Sequence, residues 1–223
     1  MDELAWLGVI RHGQSEGNVA AQWAEAVGAE MVDVDLADAE VPLTATGREQ
    51  AAAIGRWLDA LPPDERPEVI VTSPYRRAQE TAEIAAGPYP LLVDERLRDR
   101  ELGVLDRLTR RGVDARMPEE AARRRRLGRI YYRPPGGESW ADVALRLRAA
   151  LGDLRRDHAD RRVLTVAHEA VACVLRYLVE GLTLAELVEL SGGGGLDNGS
   201  LTAWARTDGA LKLVCWNDVS HLV

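Results

Sequence analysis

With 223 residues, 46% of them apolar and 29% charged, the chain is sized for one soluble globular domain with a sizeable core. A net charge of -8 works against a general nucleic-acid binder, because phosphate backbones select basic surfaces. The basic charge is almost all arginine, Lys212 being the only lysine. Arginine suits bidentate phosphate contacts, although genome composition accounts for the larger part of such a bias.

Cys173 and Cys215 lie in apolar runs, with neither disulfide nor zinc spacing, and read as buried reduced thiols. The acidic opening Met1-Asp2-Glu3 lacks the basic region of a signal peptide, and no apolar run reaches membrane-spanning length. The expectation is a cytoplasmic protein with no membrane partner.

In chain order, residues 4–12 read as a buried strand, followed by a helix with Val19, Trp23 and Val27 at helical spacing. Gly28 to Pro42 reads as an acidic loop. Thr44 or Thr46 caps the next helix, whose stripe is Ala51, Ile54, Leu58 and Leu61, and Pro62-Pro63 ends it. Residues 68–73 form a second strand, Tyr75 to Ala86 a helix, and Leu91-Leu92-Val93 a third strand. The charged stretch 94–103 reads as loop. Residues 104–135 are the least regular part, an excursion with nine arginines between Arg110 and Arg133; a solvated helix face is the simplest account of the run Arg123 to Arg126.

Ser139 caps a helix whose apolar face is Val143, Leu147, Leu151 and Leu154. Residues 162–168 form a fourth strand, and the following helix turns Val171, Val174, Leu175 and Leu178 inward. Thr183-x-x-Glu186 starts a short helix by a capping box. Gly192 to Gly195 reads as a flexible loop that lacks the Gly-Lys-Ser/Thr ending of a nucleotide-binding loop. Two final strands, 201–206 and 211–216, are joined by the hairpin signal Asp208-Gly209. Strands alternating with helices predict an α/β fold: a three-layer sandwich around a mostly parallel mixed sheet of about six strands, with helices on both faces. The whole chain, 1–223, reads as a single domain with its excursion at about 104–135.

Two of the strands end on a histidine, His12 and His168, while His158 and His221 read as surface residues. A third strand ends at Ser73-Pro74, just before Arg76. Parallel strand ends share one edge of a sheet, where ligands of open α/β folds collect. A segment such as Arg11-His12-Gly13, between a strand end and a helix start, also offers unpaired N–H groups to an anion. His12, His168 and Arg76 therefore have a route to one place.

These motifs resemble those of the histidine phosphatase superfamily, also called the phosphoglycerate mutase-like family. Arg11-His12-Gly13 with Gln14, Glu16 and Asn18 matches its signature. Pro42-Leu43-Thr44 with Gly47, Ser73-Pro74 with Arg76-Arg77-Ala78, Pro135-Gly136-Gly137-Glu138-Ser139, and Val166-Ala167-His168 follow in the family's order. Residues 19–41 and 104–133 carry the least of the pattern.

The resemblance implies a phosphomonoester hydrolase acting on a small phosphorylated substrate through phosphohistidine. His12 is then the nucleophile, Arg11 and Arg76 clamp the phosphoryl oxygens, His168 adds a donor, and Asn18 and Gln14 contact the substrate. In the family a glutamate placed four residues before a glycine usually serves the leaving group. Counting back from Gly103 gives Asp99 as the general acid, with Glu101 the second candidate. Glu169 stands beside the second histidine as a further substrate contact. No metal and no other cofactor is called for. A phosphoglycerate mutase and a non-catalytic phosphate-binding module are the alternatives, and six tryptophans and five tyrosines leave room for a homodimer.

Overall fold

In the computed structural model, which describes residues 3–192 and 195–222, the apolar runs become strands β1 (Trp6–Arg11), β2 (Val69–Thr72), β3 (Leu91–Val93), β4 (Arg162–Ala167), β5 (Leu201–Thr207) and β6 (Ala210–Asp218). They form one six-stranded sheet in the order β3-β2-β4-β1-β5-β6. The pairs β3–β2, β2–β4 and β4–β1 are parallel, and β5 runs antiparallel to both β1 and β6. Asp208 and Gly209 turn the last hairpin with φ of 53° and 77°, the left-handed pair that such a tight turn requires.

The helices are α1 (Glu16–Val27), α2 (Ala45–Ala60), α3 (Arg76–Ala86), α4 (Arg110–Arg116), α5 (Pro118–Tyr131), α6 (Trp140–Asp157), α7 (Glu169–Glu180) and α8 (Leu184–Gly192). Strand alternation divides the core between the two faces of the sheet. Leu7, Val9 and Val163 pack on one side with Leu147, Val171 and Val174 of α6 and α7. Trp6, Ile10, Leu164 and Val166 pack on the other with Ile54, Leu58, Ala78 and Ala82 of α2 and α3. Both faces are covered, which is why the parallel strands read as continuous apolar runs rather than alternating ones. The result is the expected three-layer α/β sandwich.

Two regions differ from the sequence expectation. α1 forms, and Ser15 caps it in a capping box with Asn18. Yet its apolar stripe faces solvent: Trp23 is 60% exposed, and the helix's buried residue is Ala24. Helical spacing identifies a helix but not whether anything covers its apolar side. Residues 104–135, expected to be irregular, contain α4 and α5. Thr109 caps α4, and Gly128 breaks the regularity of α5 at φ 75°. Leu105, Val113, Ala121 and Tyr132 give these helices a small cluster of their own, and Arg123 to Arg126 are exposed. So few apolar residues leave no clear periodic stripe in the sequence. Gly192 ends α8, and Gly193 and Gly194 of the expected flexible loop lie outside the described residues.

Candidate active site

The carboxyl ends of β2, β4 and β1 lie side by side, and each leads straight into a polar residue of the site. The His12 N–H extends the ladder to the Ala167 carbonyl at 2.9 Å, and the Ser73 N–H donates to the Val166 carbonyl at 3.0 Å. His12 and His168 are thereby brought to a ring-centroid separation of 5.2 Å. After His12 the chain must pass very close to the start of α2. A Cβ on Gly13 would stand 2.4 Å from the Gly47 carbonyl oxygen, and one on Gly47 only 2.0 Å from that of Gln14. Any side chain at either position would push the His12 loop off α2.

His12 is 2% exposed. Its Nδ1 lies 2.7 Å from the Gly13 carbonyl oxygen, which can only accept. The proton therefore sits on Nδ1 and leaves Nε2 unprotonated, a tautomer assigned from its partners. Arg77 confirms that assignment by donating its Nε–H to His12 Nε2 at 3.2 Å. Burial, then the coupling to the second imidazole of His168 and the charges of Arg77 and Arg11, holds the His12 imidazole well below its ordinary pKa, against the pull of the Gly13 carbonyl. It is neutral and unprotonated at Nε2 near pH 7, the form a nucleophile needs.

Arg77, not Arg76, reaches His12. Arg77 is 4% exposed, whereas Arg76 turns outward and pairs with Glu80 at 2.7 Å, one helical turn away. The signal was present in the sequence: Arg77 shares a face of α3 with Ala78, Thr81 and Ala82, all buried, while Arg76 is i,i+4 from a carboxylate. The Arg77 guanidinium is held from both sides. It donates to the Asp38 carboxylate at 3.0 and 3.3 Å, to the Asp38 carbonyl at 2.6 Å, and to Asp99 Oδ2 at 3.1 Å. Burial opposes its charge, but Asp99 and Asp38 outweigh that and raise its pKa. In turn, burial together with the charge of Asp99 raises the Asp38 carboxyl above its ordinary value in spite of Arg77.

His168 is fully buried, and its Nε2 lies 2.8 Å from Ser73 Oγ. That hydroxyl already accepts the Tyr75 N–H at 3.2 Å, so its own proton is available to His168 Nε2. With Ser73 Oγ donating to Nε2, a tautomer assigned from this partner, the His168 proton is on Nδ1, 3.4 Å from Asp99 Oδ2 and without an aligned hydrogen-bond partner among the described residues. Burial, then Arg77, Arg146 and Arg11, lowers the His168 pKa well below its usual value. The Tyr75 ring packs against both His168 and the Arg77 guanidinium, with centroid distances of 5.2 and 5.0 Å.

Asp99 is carried into this group by a loop that packs on the Pro-Gly-Gly turn. A Cβ on Gly103 would meet the Pro135 carbonyl at 2.2 Å, at φ 54°. Asp99 Oδ1 accepts the Arg100 N–H at 2.8 Å, and Arg146 donates to the Asp99 carbonyl at 3.1 Å. Glu101 stands further out, its side chain 46% exposed.

A cavity of about 720 Å³ opens above these groups, its wall including Arg11, His12, Asn18, Arg77, Asp99, Glu101 and Glu169. Arg11 donates to the Leu196 carbonyl, lies 3.6 Å from Glu169, and keeps a buried Nε without a partner among the described residues. Asn18 directs Oδ1 to Ser15 and Asn198. Gln14 is not brought to the cavity wall: its Oε1 accepts from Thr44 Oγ1 at 2.9 Å, tying the loop to the cap of α2. Sequence reasoning also missed Asp38, Ser73, Tyr75 and Arg100. Arg100 lies on the wall and donates to the Glu138 carbonyl at 2.8 Å; burial, with Arg124 and Arg129 nearby, lowers it to about 10, so it stays charged at neutral pH. No cluster of metal-ligating side chains occurs among the described residues.

Comparison with known proteins decides the family. The model of the histidine phosphatase superfamily (branch 1) matches residues 7–219. The chain belongs to the histidine phosphatase superfamily. As a member it is a metal-independent phosphomonoester hydrolase of the phosphohistidine-forming kind. It is 32% identical over 211 residues to a glucosyl-3-phosphoglycerate phosphatase of Mycolicibacterium vanbaalenii, covering 90% of this chain and 85% of that one. It is also 32% identical over 172 residues to a probable phosphoglycerate mutase of Photorhabdus laumondii, covering 75% and 71%. Among solved structures, a mycobacterial glucosyl-3-phosphoglycerate phosphatase in complex with VO3 matches with a TM-score of 0.74 at 30% identity, over 96% of this histidine phosphatase and 98% of the other chain. No helix among the described residues is long and apolar enough to cross a membrane.

Proposed function

We propose that His12 is the nucleophile and Asp99 the general acid of this hydrolase, with Arg77 in the clamp role expected of Arg76. In the first step the His12 Nε2 lone pair attacks phosphorus in line. The Nε2–P bond forms, the bond from phosphorus to the leaving oxygen breaks, and Asp99 gives that oxygen a proton. In the second step Asp99 takes a proton from water, the water oxygen bonds phosphorus, and the Nε2–P bond breaks to release inorganic phosphate. Arg11, Arg77 and the Nδ1–H of His168 stabilise the charge on the transferring phosphoryl oxygens. Because the donors are fixed beforehand in a buried setting, positioning and electrostatics account for most of the catalysis. Asn18, Glu101 and Glu169 stay as contacts for the rest of the substrate, and Gln14 holds the loop instead.

The observation that carries this reading is the unprotonated Nε2 of a buried, neutral His12, which accepts from an arginine that Asp99 also contacts. Rapid-quench experiments with a labelled aryl phosphate test it. A phosphoenzyme that is labile in acid and stable in base is expected, and it should be absent from His12→Ala. Label retained in that variant would exclude His12 as nucleophile. The names of the relatives favour two compounds for the same panel. Phosphate release from either compound supports the hydrolase; interconversion of phosphoglycerates without phosphate release would instead make the protein a mutase.

A further inference from the structure

Residues 19–41 and 104–133, where the family motifs are weakest, build the outer wall of the cavity. The stretch Val32-Asp33-Val34-Asp35-Leu36 alternates strictly: Val32, Val34 and Leu36 line the cavity while Asp33 and Asp35 are exposed outside it. Period-two alternation is what an extended segment with one covered face requires, but this segment belongs to no sheet strand. It is pinned to the excursion. Met31 bridges to Leu108 in antiparallel fashion, the Val32 N–H donates to the Arg107 carbonyl at 2.8 Å, and the Thr109 N–H donates to the Glu30 carbonyl at 3.1 Å. Leu102 and Leu108 are also on the wall.

Leu108 packs against the small cluster of the excursion, but Leu36 and Leu102 belong to no core cluster. Leu36 is 43% exposed and Leu102 38%. An apolar group left open in a cavity gains free energy only when a ligand covers it. The charged side chains around this part of the wall are Glu25, Asp38, Glu101 and Asp106 against Arg100 and Arg107. With Arg77 already holding Asp38, no surplus of positive charge remains there for a second anionic group.

We propose that this chamber receives the alcohol part of the phosphoester, and that the alcohol is uncharged and largely apolar. The inference rests on the phosphatase reading and names its substrate class. The phosphate end enters the group formed by Arg11, His12 and Arg77, and the carbon body lies against Val32, Val34, Leu36, Leu102 and Leu108.

A series of n-alkyl phosphates from ethyl to hexyl tests this, with 3-phosphoglycerate as the anionic comparator. Covering each further methylene should raise kcat/KM about threefold to fourfold until the chamber is filled. Val34→Asp should flatten that slope, as should Leu36→Ser, with circular dichroism showing that both variants stay folded. A slope of one in the wild type, or 3-phosphoglycerate outperforming hexyl phosphate, would overturn the proposal. Calorimetric binding of the same series to the His12→Ala variant reads the chamber without turnover. Affinity that rises with chain length while the wild type hydrolyses no ester would sink the phosphatase reading and leave the chamber standing; affinity that stays flat would remove the chamber.

Discussion

Replacing Arg77 separates the geometry from the motif, because the two adjacent arginines are expected to differ by orders of magnitude. Arg77→Ala removes the donor to His12 Nε2 and the cation between Asp38 and Asp99. A single preorganised donor contributes on the order of 10²–10³ in kcat, and an arginine stabilising a transferring phosphoryl group about 10³–10⁵. The overlap is about 10³, or ~4 kcal/mol of transition-state stabilisation. The same change leaves two partly exposed carboxylates facing each other. Stability should therefore fall by roughly 1–3 kcal/mol, less than the 3–5 typical of breaking a fully buried pair. Arg77→Lys keeps a charge but loses the planar fork, and should recover stability better than rate. Arg76→Ala removes an exposed pair with Glu80, so it should change kcat by less than about threefold and stability by about 0.5 kcal/mol. Steady-state kinetics with an aryl phosphate, beside urea unfolding of each variant, give both readouts. An Arg76→Ala defect as large as that of Arg77→Ala would refute the argument.

Asp99→Asn should cost about 10²–10⁴ in kcat on an alkyl phosphate and much less on a nitrophenyl phosphate, whose leaving group needs no proton; Glu101→Gln should show no such dependence. If the dependence appears in Glu101→Gln instead, the acid has been misassigned. Ser73→Ala removes the hydroxyl that places the His168 proton on Nδ1, so kcat should drop about tenfold while the His168 tautomer, read from its nitrogen shifts by NMR, becomes mixed. Stability should also fall with acid. Both His12 and His168 have pKa values lowered by folding, so below the unfolded value of about 6.5 the unfolded chain binds protons that the native state refuses. This lowers stability by about 1.4 kcal/mol per pH unit for each histidine, visible as a declining urea midpoint from pH 6.5 towards 5. A His12→Asn, His168→Asn double variant should lose most of that slope; a slope unchanged in the double variant would mean that other groups set it.

The sequence by itself determined the layers of the fold and most of the chemistry. Strand and helix periods differ, and Thr44, Ser139 and Thr183 mark helix starts through a local interaction between a side chain and nearby backbone N–H groups. Arg11, His12 and His168 were legible because they sit at strand ends, and parallel strands place their ends together without further information. The tertiary structure decided what depends on direction rather than order. Arg76 and Arg77 are adjacent in the chain, but the side of α3 that packs on the sheet selects Arg77. Gln14 reads as a substrate contact until α2 arrives to take its side chain. Asp38 becomes a partner of Arg77 only when two segments 39 residues apart meet. The wall made by Val32, Val34 and Leu36 likewise exists only because the excursion docks against it; alternation alone names a covered face, not what covers it.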